Sequence, residues 1–150
     1  MFKLKNKMNR INKLFEIVFS PLAPISLWVL RFTLGVSFFL HGWGKLPLPP
    51  TKLITWFESI GMVAPELIAN LVALGELGAG AGLLLGGGLT GNIGNVVTRV
   101  SALGITIIMT GAFYFAHSDW FINEKLFKSE QIFLFVLAVF FLINGNKKIN

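Results

Sequence analysis

The chain has 150 residues, of which 54% are hydrophobic and only 13% are charged, and its mean hydropathy is +0.71. Soluble domains carry about 25% charged residues, so this composition indicates an integral membrane protein. The chain contains no cysteine, which excludes disulfides, thiol catalysis and cysteine-ligated clusters. Its net charge of +6 is accompanied by no nucleic-acid-binding motif, and we expect no nucleic-acid partner.

Residues 1–22 are predicted to form a basic amphipathic segment. Apolar residues recur there near helical spacing, and five of the 13 basic residues lie between Lys3 and Lys13. This pattern favours a helix that lies on the cytoplasmic surface of the membrane, and a frayed basic tail is the alternative. A signal peptide fits poorly, because the apolar run is short, contains Glu16 and is followed by no small-residue cleavage site.

The first membrane span is predicted over residues 25–43, after two prolines that separate it from the basic segment. It contains one charged residue, Arg31, and ends at the run KLPLPP, which cannot continue a helix. Residues 51–61 follow and are predicted to form a short amphipathic helix at the membrane interface, with Phe57 among the side chains that face lipid.

The second span is predicted over residues 64–85, with Glu76 inside it. Gly78, Gly82 and Gly86 repeat at intervals of four residues. In lipid, small residues at this spacing allow two helix backbones to approach closely. These three glycines are therefore predicted to form a helix-packing surface.

Residues 86–95 are predicted to form a turn, and the third and fourth spans are predicted over residues 96–116 and 127–143. The fourth span is the shortest, because its apolar centre IFLFVLAVFFLI has 12 residues, whereas a span needs roughly 20. It must therefore borrow length from residues 127–131.

The predicted fold is all-α and integral to the membrane, with a four-transmembrane-helix bundle over residues 23–146 and a basic C-terminal tail at 147–150. An even number of spans places both termini on one side. That side would carry Lys3, Lys5, Lys7, Arg10, Lys13, Arg99, Lys147 and Lys148, and the other side Lys45, Lys52, Lys125 and Lys128. By the positive-inside rule both termini are predicted to be cytoplasmic.

Two charged residues lie well inside the predicted spans. A charge at the bilayer centre costs about 2.5–3.5 kcal/mol on insertion scales, so Arg31 and Glu76 are expected to have partners. A rise of 1.5 Å per residue places Arg31 about 9 Å and Glu76 about 15 Å from the inner edge, a difference that an arginine side chain could bridge. We predict a structural ion pair between them; the alternative is that Arg31 snorkels alone to the headgroups.

His41 and His117 end the first and third spans, which run in the same direction, so both imidazoles are predicted near the outer boundary with Lys45 and Glu130. This candidate site could bind a quinone, whose carbonyls accept hydrogen bonds, or relay protons, because histidine titrates near neutrality. Two histidines could also ligate haem, but quinone is the favoured cofactor. The alternative is interfacial histidines bonded to loop carbonyls. No metal site is predicted, and no residue is assigned to catalysis.

In their order, these polar positions resemble the DoxX family of four-span bacterial membrane proteins. The resemblance covers roughly residues 28–145, through LRFTLGVSFFLHGWGKL, Gly61, LGELGAGAGLLLGG, TRVSALGITIIMTGAFYFAH and Glu130. Two departures are visible. The family pattern lacks the run GNIGNVV at residues 91–97, which we interpret as an insertion, and its glycine-rich ending with Ser and Asp is replaced here by NGNKKIN.

The resemblance implies a multi-pass protein of the bacterial cytoplasmic (inner) membrane. Some relatives are the large subunit of a thiosulfate:quinone oxidoreductase, and others associate with redox and detoxification proteins. We therefore expect a quinone-linked redox component or subunit with a membrane or redox protein partner. The alternatives are a non-catalytic membrane scaffold that anchors a partner and, third, a small transporter, which would require a homo-oligomer.

Overall fold

The computed structural model describes residues 2–120 and 123–147, with side chains from residue 8 onward. Its helices are α1 (Phe2–Phe19), α2 (Ala23–Trp43), α3 (Thr51–Ser59), α4 (Pro65–Gly88), α5 (Gly91–Phe115), α6 (Glu124–Lys128) and α7 (Glu130–Asn144), with single 3-10 turns at Ser20–Leu22 and Ser118–Trp120. No β-strand occurs in the described residues. Residues 148–150 of the predicted basic tail lie outside them, as do the side chains of Lys3, Lys5 and Lys7.

The chain divides into two compact units, one up to Leu30 and one from Arg31 onward. In the first unit, α1 is followed by the 3-10 turn and then by the start of α2. The predicted interruption between the basic segment and the first span is thus a tightened helical turn. Pro21 is tolerated there because it occupies the first turn of a helix, where a backbone N–H has no helical acceptor.

Within the described part of the chain, three helical stretches are long and apolar enough to cross a membrane: Met8–Trp43, which includes α2, and the helices α4 and α5. The protein is therefore an α-helical integral membrane protein. Helix α7 has 15 residues, a length of about 22 Å. The prediction that it gains length from residues 127–131 is wrong for residues 127–129, because Ser129 is extended (φ −92°, ψ 154°) and separates α6 from α7.

Helices α2 and α4 pack antiparallel through glycines that sequence reasoning did not assign to packing. A Cβ on Gly42 would lie 2.6 Å from the backbone nitrogen of Leu77, and one on Gly80 would lie 2.7 Å from the carbonyl oxygen of Gly35. Such separations leave no room for a side chain. The two backbones are therefore in direct contact, as small residues permit in membrane helices.

On its other side α4 packs antiparallel against α5. Gly82 faces the Ser101 hydroxyl, and a Cβ on Gly86 would lie 2.6 Å from Thr98 Oγ1. Gly78, the first of the three glycines predicted to form a packing surface, has no heavy atom within 4 Å of the place where its Cβ would be. Among the described residues, Gly78 is therefore not part of a packing surface.

Helix α7 completes the bundle by packing antiparallel against α5 and α2. The rings of Phe113 and Phe135 meet with centroids 5.7 Å apart, and the Arg31 guanidinium lies 4.7 Å from the centroid of Phe141. The interior is mainly apolar, with Leu34, Phe38, Leu83, Ile105 and Phe141 almost fully buried. Helices α2, α4, α5 and α7 thus form an antiparallel bundle.

Two further expectations need correction. Phe57 of α3 is 6% exposed, so it faces the protein instead of lipid. The predicted turn at residues 86–95 is also much shorter, because α4 continues to Gly88 and α5 begins at Gly91. The residues interpreted as an insertion therefore form the first turns of α5. Gly94 allows this arrangement, since a Cβ there would lie 2.8 Å from the carbonyl oxygen of Gly86.

The α2–α4 contact predicts that two neighbouring glycines respond differently to the same substitution. Gly80→Ala should destabilise the protein by about 1–3 kcal/mol, because the added methyl forces two backbones apart. Gly78→Ala should be neutral or slightly stabilising, because alanine favours the helix. Reversible unfolding in detergent micelles measures both values. Equal effects of the two substitutions would contradict the close approach of α2 and α4 at Gly80.

Candidate functional site

Polar side chains form two clusters on helix α2 and its neighbours. The His41 cluster consists of His41, Lys45, Glu76 and Glu130, and the Arg31 cluster consists of Arg31, Asn95, Thr98, Arg99 and Asn146. Because Arg31 and His41 are ten residues apart on α2, the clusters lie about 15 Å apart along the helix, toward opposite ends of the bundle.

The His41 cluster contains one buried ion pair and one exposed contact. Lys45 Nζ lies 2.5 Å from Glu76 Oε2 and also donates to the His41 carbonyl oxygen at 3.2 Å. The side chains of Glu76 and Lys45 are only 10% and 24% exposed. His41 Nε2 lies 3.9 Å from Glu130 Oε1, and both of these side chains are open to the surroundings. Lys45 therefore compensates the buried charge of Glu76.

The predicted Arg31–Glu76 pair is corrected by this geometry. Glu76 pairs with Lys45, whereas the Arg31 guanidinium reaches the carbonyl oxygen of Leu83. Leu83 lies seven residues after Glu76 on α4, which is about 10 Å along the helix. The estimated depths in the membrane favoured Arg31 as the partner of Glu76, because only charged residues well inside the predicted spans were compared. Lys45 lies beyond the end of α2 and reaches back into the bundle.

His117 lies at a different place from the His41 cluster. It lines a cavity of about 580 Å³ between α5, α7 and the segment that connects them. The walls are mainly apolar, and the imidazole stacks on Trp120 with ring centroids 3.8 Å apart. His41, Lys45 and Glu130 do not line this cavity. The four residues predicted to form one candidate site are thus divided between two neighbouring places, and Glu130 lies only two residues before Ile132 of the cavity wall.

The connection beside the cavity carries an exposed ion pair. Lys125 Nζ donates to Asp119 Oδ2 at 2.8 Å. This hydrogen bond is the main reason that the pKa of Asp119 is lowered, and His117 contributes through its charge when protonated. Asp119 therefore remains a carboxylate at neutral pH and ties together the two ends of the connection.

Arg31 is the buried cation of the second cluster, and it is 5% exposed. Its Nη1 donates to the carbonyl oxygen of Leu83 at 2.5 Å and to Thr98 Oγ1 at 3.0 Å, and its Nη2 donates to Asn146 Oδ1 at 2.7 Å. The guanidinium therefore joins α2 to α4, to α5 and to the residues that follow α7. A planar group with five donors suits such a junction.

Asn146 is the residue of this cluster that sequence reasoning missed. Its side chain accepts from Thr98 Oγ1 at 2.8 Å and donates to the Gly86 carbonyl oxygen at 2.7 Å, while its backbone N–H donates to Asn95 Oδ1 at 3.1 Å. Gly145 directs it inward with φ +59°, a backbone conformation that favours glycine. The sequence feature that could have indicated this role is the Gly145-Asn146 pair directly after an apolar helix.

Arg99 extends the Arg31 cluster along the neighbouring helix face. Its Nη1 donates to the carbonyl oxygen of Leu142 at 2.8 Å, which ties α5 to the end of α7. Its Nε lies 3.5 Å from Asn95 Oδ1, the same oxygen that accepts from the backbone of Asn146. Both arginines thus hold α7 in place, and we interpret the role of this cluster as structural.

In the described residues no group of three or more His, Cys, Asp or Glu side chains could hold a metal ion.

Comparison with protein families supplies the assignment. The family model described as DoxX matches residues 26–118, which is more than half of the chain. The chain belongs to the DoxX family. The match includes His41, Lys45 and Glu76, and it ends before α7 and Asn146. Comparison with curated proteins and with solved structures returns no match.

The Lys45–Glu76 pair of this DoxX-family protein predicts a pattern of stability losses. Lys45→Met should cost about 2–3 kcal/mol, somewhat less than the 3–5 kcal/mol typical of a fully buried pair, because Lys45 is partly exposed. Adding Glu76→Gln should recover part of the loss, because the uncompensated charge is then removed. Unfolding in detergent measures both.

Lys128→Met is the matched control for this pair, because Lys128 pairs with Glu124 on the surface, where both side chains are more than 70% exposed. We expect little change from it. A double variant that loses the sum of the two single losses would refute the Lys45–Glu76 pair.

Asn146 predicts a second stability difference, this time between two asparagines near the end of α7. Asn146→Ala removes bonds to Arg31, Thr98 and Gly86, and each bond lost by a buried group costs about 1–3 kcal/mol. We expect a total loss of about 2–4 kcal/mol. Asn144→Ala removes only a bond to Phe140 within the same helix and should cost less. Equal losses of stability in a thermal unfolding assay would contradict the role of Asn146 in joining the helices.

Proposed function

We propose that this DoxX-family protein binds a quinone in the cavity beside His117 and serves as a component of a membrane redox system. The observation that carries the proposal is a histidine in the wall of an otherwise mainly apolar cavity of about 580 Å³, on the membrane-embedded helices α5 and α7. Small-molecule sites of about 300–1,000 Å³ with apolar walls and few polar groups are typical of proteins.

The residues of the cavity fit a quinone. Apolar side chains such as Phe113, Ile132 and Phe135 would contact the ring and the isoprenoid tail. The imidazole of His117 would donate a hydrogen bond to a quinone carbonyl, and its stacking on Trp120 fixes the plane of the ring. A bound quinone accepts two electrons and two protons on reduction to a quinol.

The His41 cluster would supply proton exchange for this site. Glu130 lies on the first turn of α7, two residues before the cavity residue Ile132, and its Oε1 is 3.9 Å from His41 Nε2. Histidine and glutamate side chains are common general acids and bases in proteins. Because Glu76 is paired with Lys45, these two residues would not take part in the proton exchange. Because the chain has no cysteine, we propose that the electrons come from a protein partner.

The proposed topology has α7 as a fourth crossing and both termini in the cytoplasm of a bacterial cell, in the inner membrane. Its support is the distribution of basic residues, because eight of them would lie with the termini and four on the opposite side. Lys128, which precedes α7, and Glu130, its first residue, would reach the interface and accommodate the short apolar length of α7.

A non-catalytic scaffold is the second function, and the exposed Gly78 of α4 favours it. Because nothing in the described chain packs there, a helix of a partner protein could approach this face. A transporter ranks third. Leu34 and Phe38 fill the bundle between the two polar clusters, so a polar path would require several copies of the chain.

A titration with a soluble ubiquinone analogue in nanodiscs tests the quinone proposal. His117→Phe keeps an aromatic ring against Trp120 but removes the hydrogen-bond donor. We expect it to weaken binding about tenfold, the equivalent of about 1.4 kcal/mol for one hydrogen bond. Trp fluorescence quenching or calorimetry measures the affinity.

Asn144→Ala, outside the cavity, is the control and should bind as the natural protein does. Absence of binding to the natural protein, or equal affinity of the His117→Phe variant, would overturn the proposal. A partner that co-purifies equally with both forms would then support the scaffold.

A further inference from the structure

Helix α1 carries a feature that the quinone site does not use. Between Met8 and Phe19, six of the seven apolar side chains fall within an arc of about 140° when plotted at 3.6 residues per turn. Those six are Met8, Ile11, Leu14, Phe15, Val18 and Phe19, and each is at least 40% exposed. The opposite arc carries Asn9, Arg10, Lys13 and Glu16. This helix therefore has an apolar face and a basic polar face.

The length of the first helical stretch shows that α1 is not needed to cross the membrane. The stretch Met8–Trp43 has 36 residues, whereas a hydrocarbon core of about 30 Å takes about 20. Helix α2 alone supplies 21 residues. Most of α1 therefore lies outside the hydrocarbon core, where its exposed apolar face would be unfavourable in water.

We propose that the apolar face of α1 lies on the membrane surface next to α2 and binds anionic phospholipid. The positive charge of the helix favours an anionic lipid as the binding partner. Residues 1–22 carry five basic residues and one acidic residue, and each basic residue near an anionic surface adds to the attraction. An amphipathic helix with basic residues on its polar face is the usual form of such an interfacial contact.

The turn between the two helices is suited to this arrangement. Pro21 lies in the 3-10 turn and Pro24 in the first turn of α2. Neither residue has a backbone N–H, so hydrogen bonds that would stiffen a continuous helix are missing at this point. Helix α1 can therefore take its direction from the lipid surface.

The experiment uses the 150-residue chain in vesicles. Because this chain contains no cysteine, a single labelled cysteine can be placed at each chosen site. Ile11→Cys places a spin label on the apolar face, and Asn9→Cys places one about 200° away on the polar face. Oxygen reports lipid exposure and a nickel chelate reports water exposure. In vesicles that contain phosphatidylglycerol, we expect the label at Ile11 to favour oxygen and the label at Asn9 to favour nickel.

Three changes should reduce this contrast: pure phosphatidylcholine vesicles, glutamine at the five basic positions, and high salt, which shortens the Debye length from about 10 Å at 0.1 M to about 3 Å at 1 M. Equal nickel access at both sites in anionic vesicles would overturn the proposal. A contrast that is unchanged by all three treatments would also overturn it, because the helix would then be held by apolar contact alone or by a protein.

Discussion

A buried guanidinium joins several elements of the bundle at one end. Arg31 is 5% exposed and bonds to the Leu83 carbonyl oxygen, to Thr98 and to Asn146. A charge inside an apolar bundle is tolerated only when its donors are satisfied. Arg31 therefore requires three elements to meet at one point: the end of α4, the first turns of α5 and the residues after α7. The positive φ of Gly145 allows the residues after α7 to reach this point.

The opposite end of the bundle meets the same requirement with an ion pair. Lys45 reaches back from beyond α2 to Glu76, and the close contact at Gly42 brings α2 and α4 near enough for this. With Glu76 compensated, His41 and Glu130 remain the exposed titratable groups of this cluster. Glu130 lies on the first turn of α7, two residues before the cavity residue Ile132. The structural pair of Lys45 with Glu76 is therefore distinct from His41 and Glu130, the pair proposed to exchange protons.

Hydropathy and the prolines predicted the membrane character and the approximate extents of α2, α4 and α5, because these depend on local composition. Residues in the loops could not be placed in the same way. The estimated depths in the membrane paired Arg31 with Glu76, because Lys45 lies outside the predicted span. Asn146 follows the fourth span and was given no role. The four-residue repeat assigned Gly78 to packing but missed Gly35, Gly42 and Gly80, because a repeat does not reveal which helix face meets a neighbour. The division of the candidate site between His41 and His117 likewise depends on tertiary packing.

A double-mutant cycle between Arg31 and Asn146 tests whether the contact between these two residues closes the bundle. Arg31→Met, Asn146→Leu and the double variant would be unfolded reversibly in detergent, and the coupling free energy calculated from the four stabilities. Residues in one hydrogen-bond network show couplings of about 0.5–3 kcal/mol, whereas independent sites are additive within about 0.5 kcal/mol. We expect a coupling of at least about 1 kcal/mol. Additive losses would contradict a bundle that is closed by the contact between these two residues.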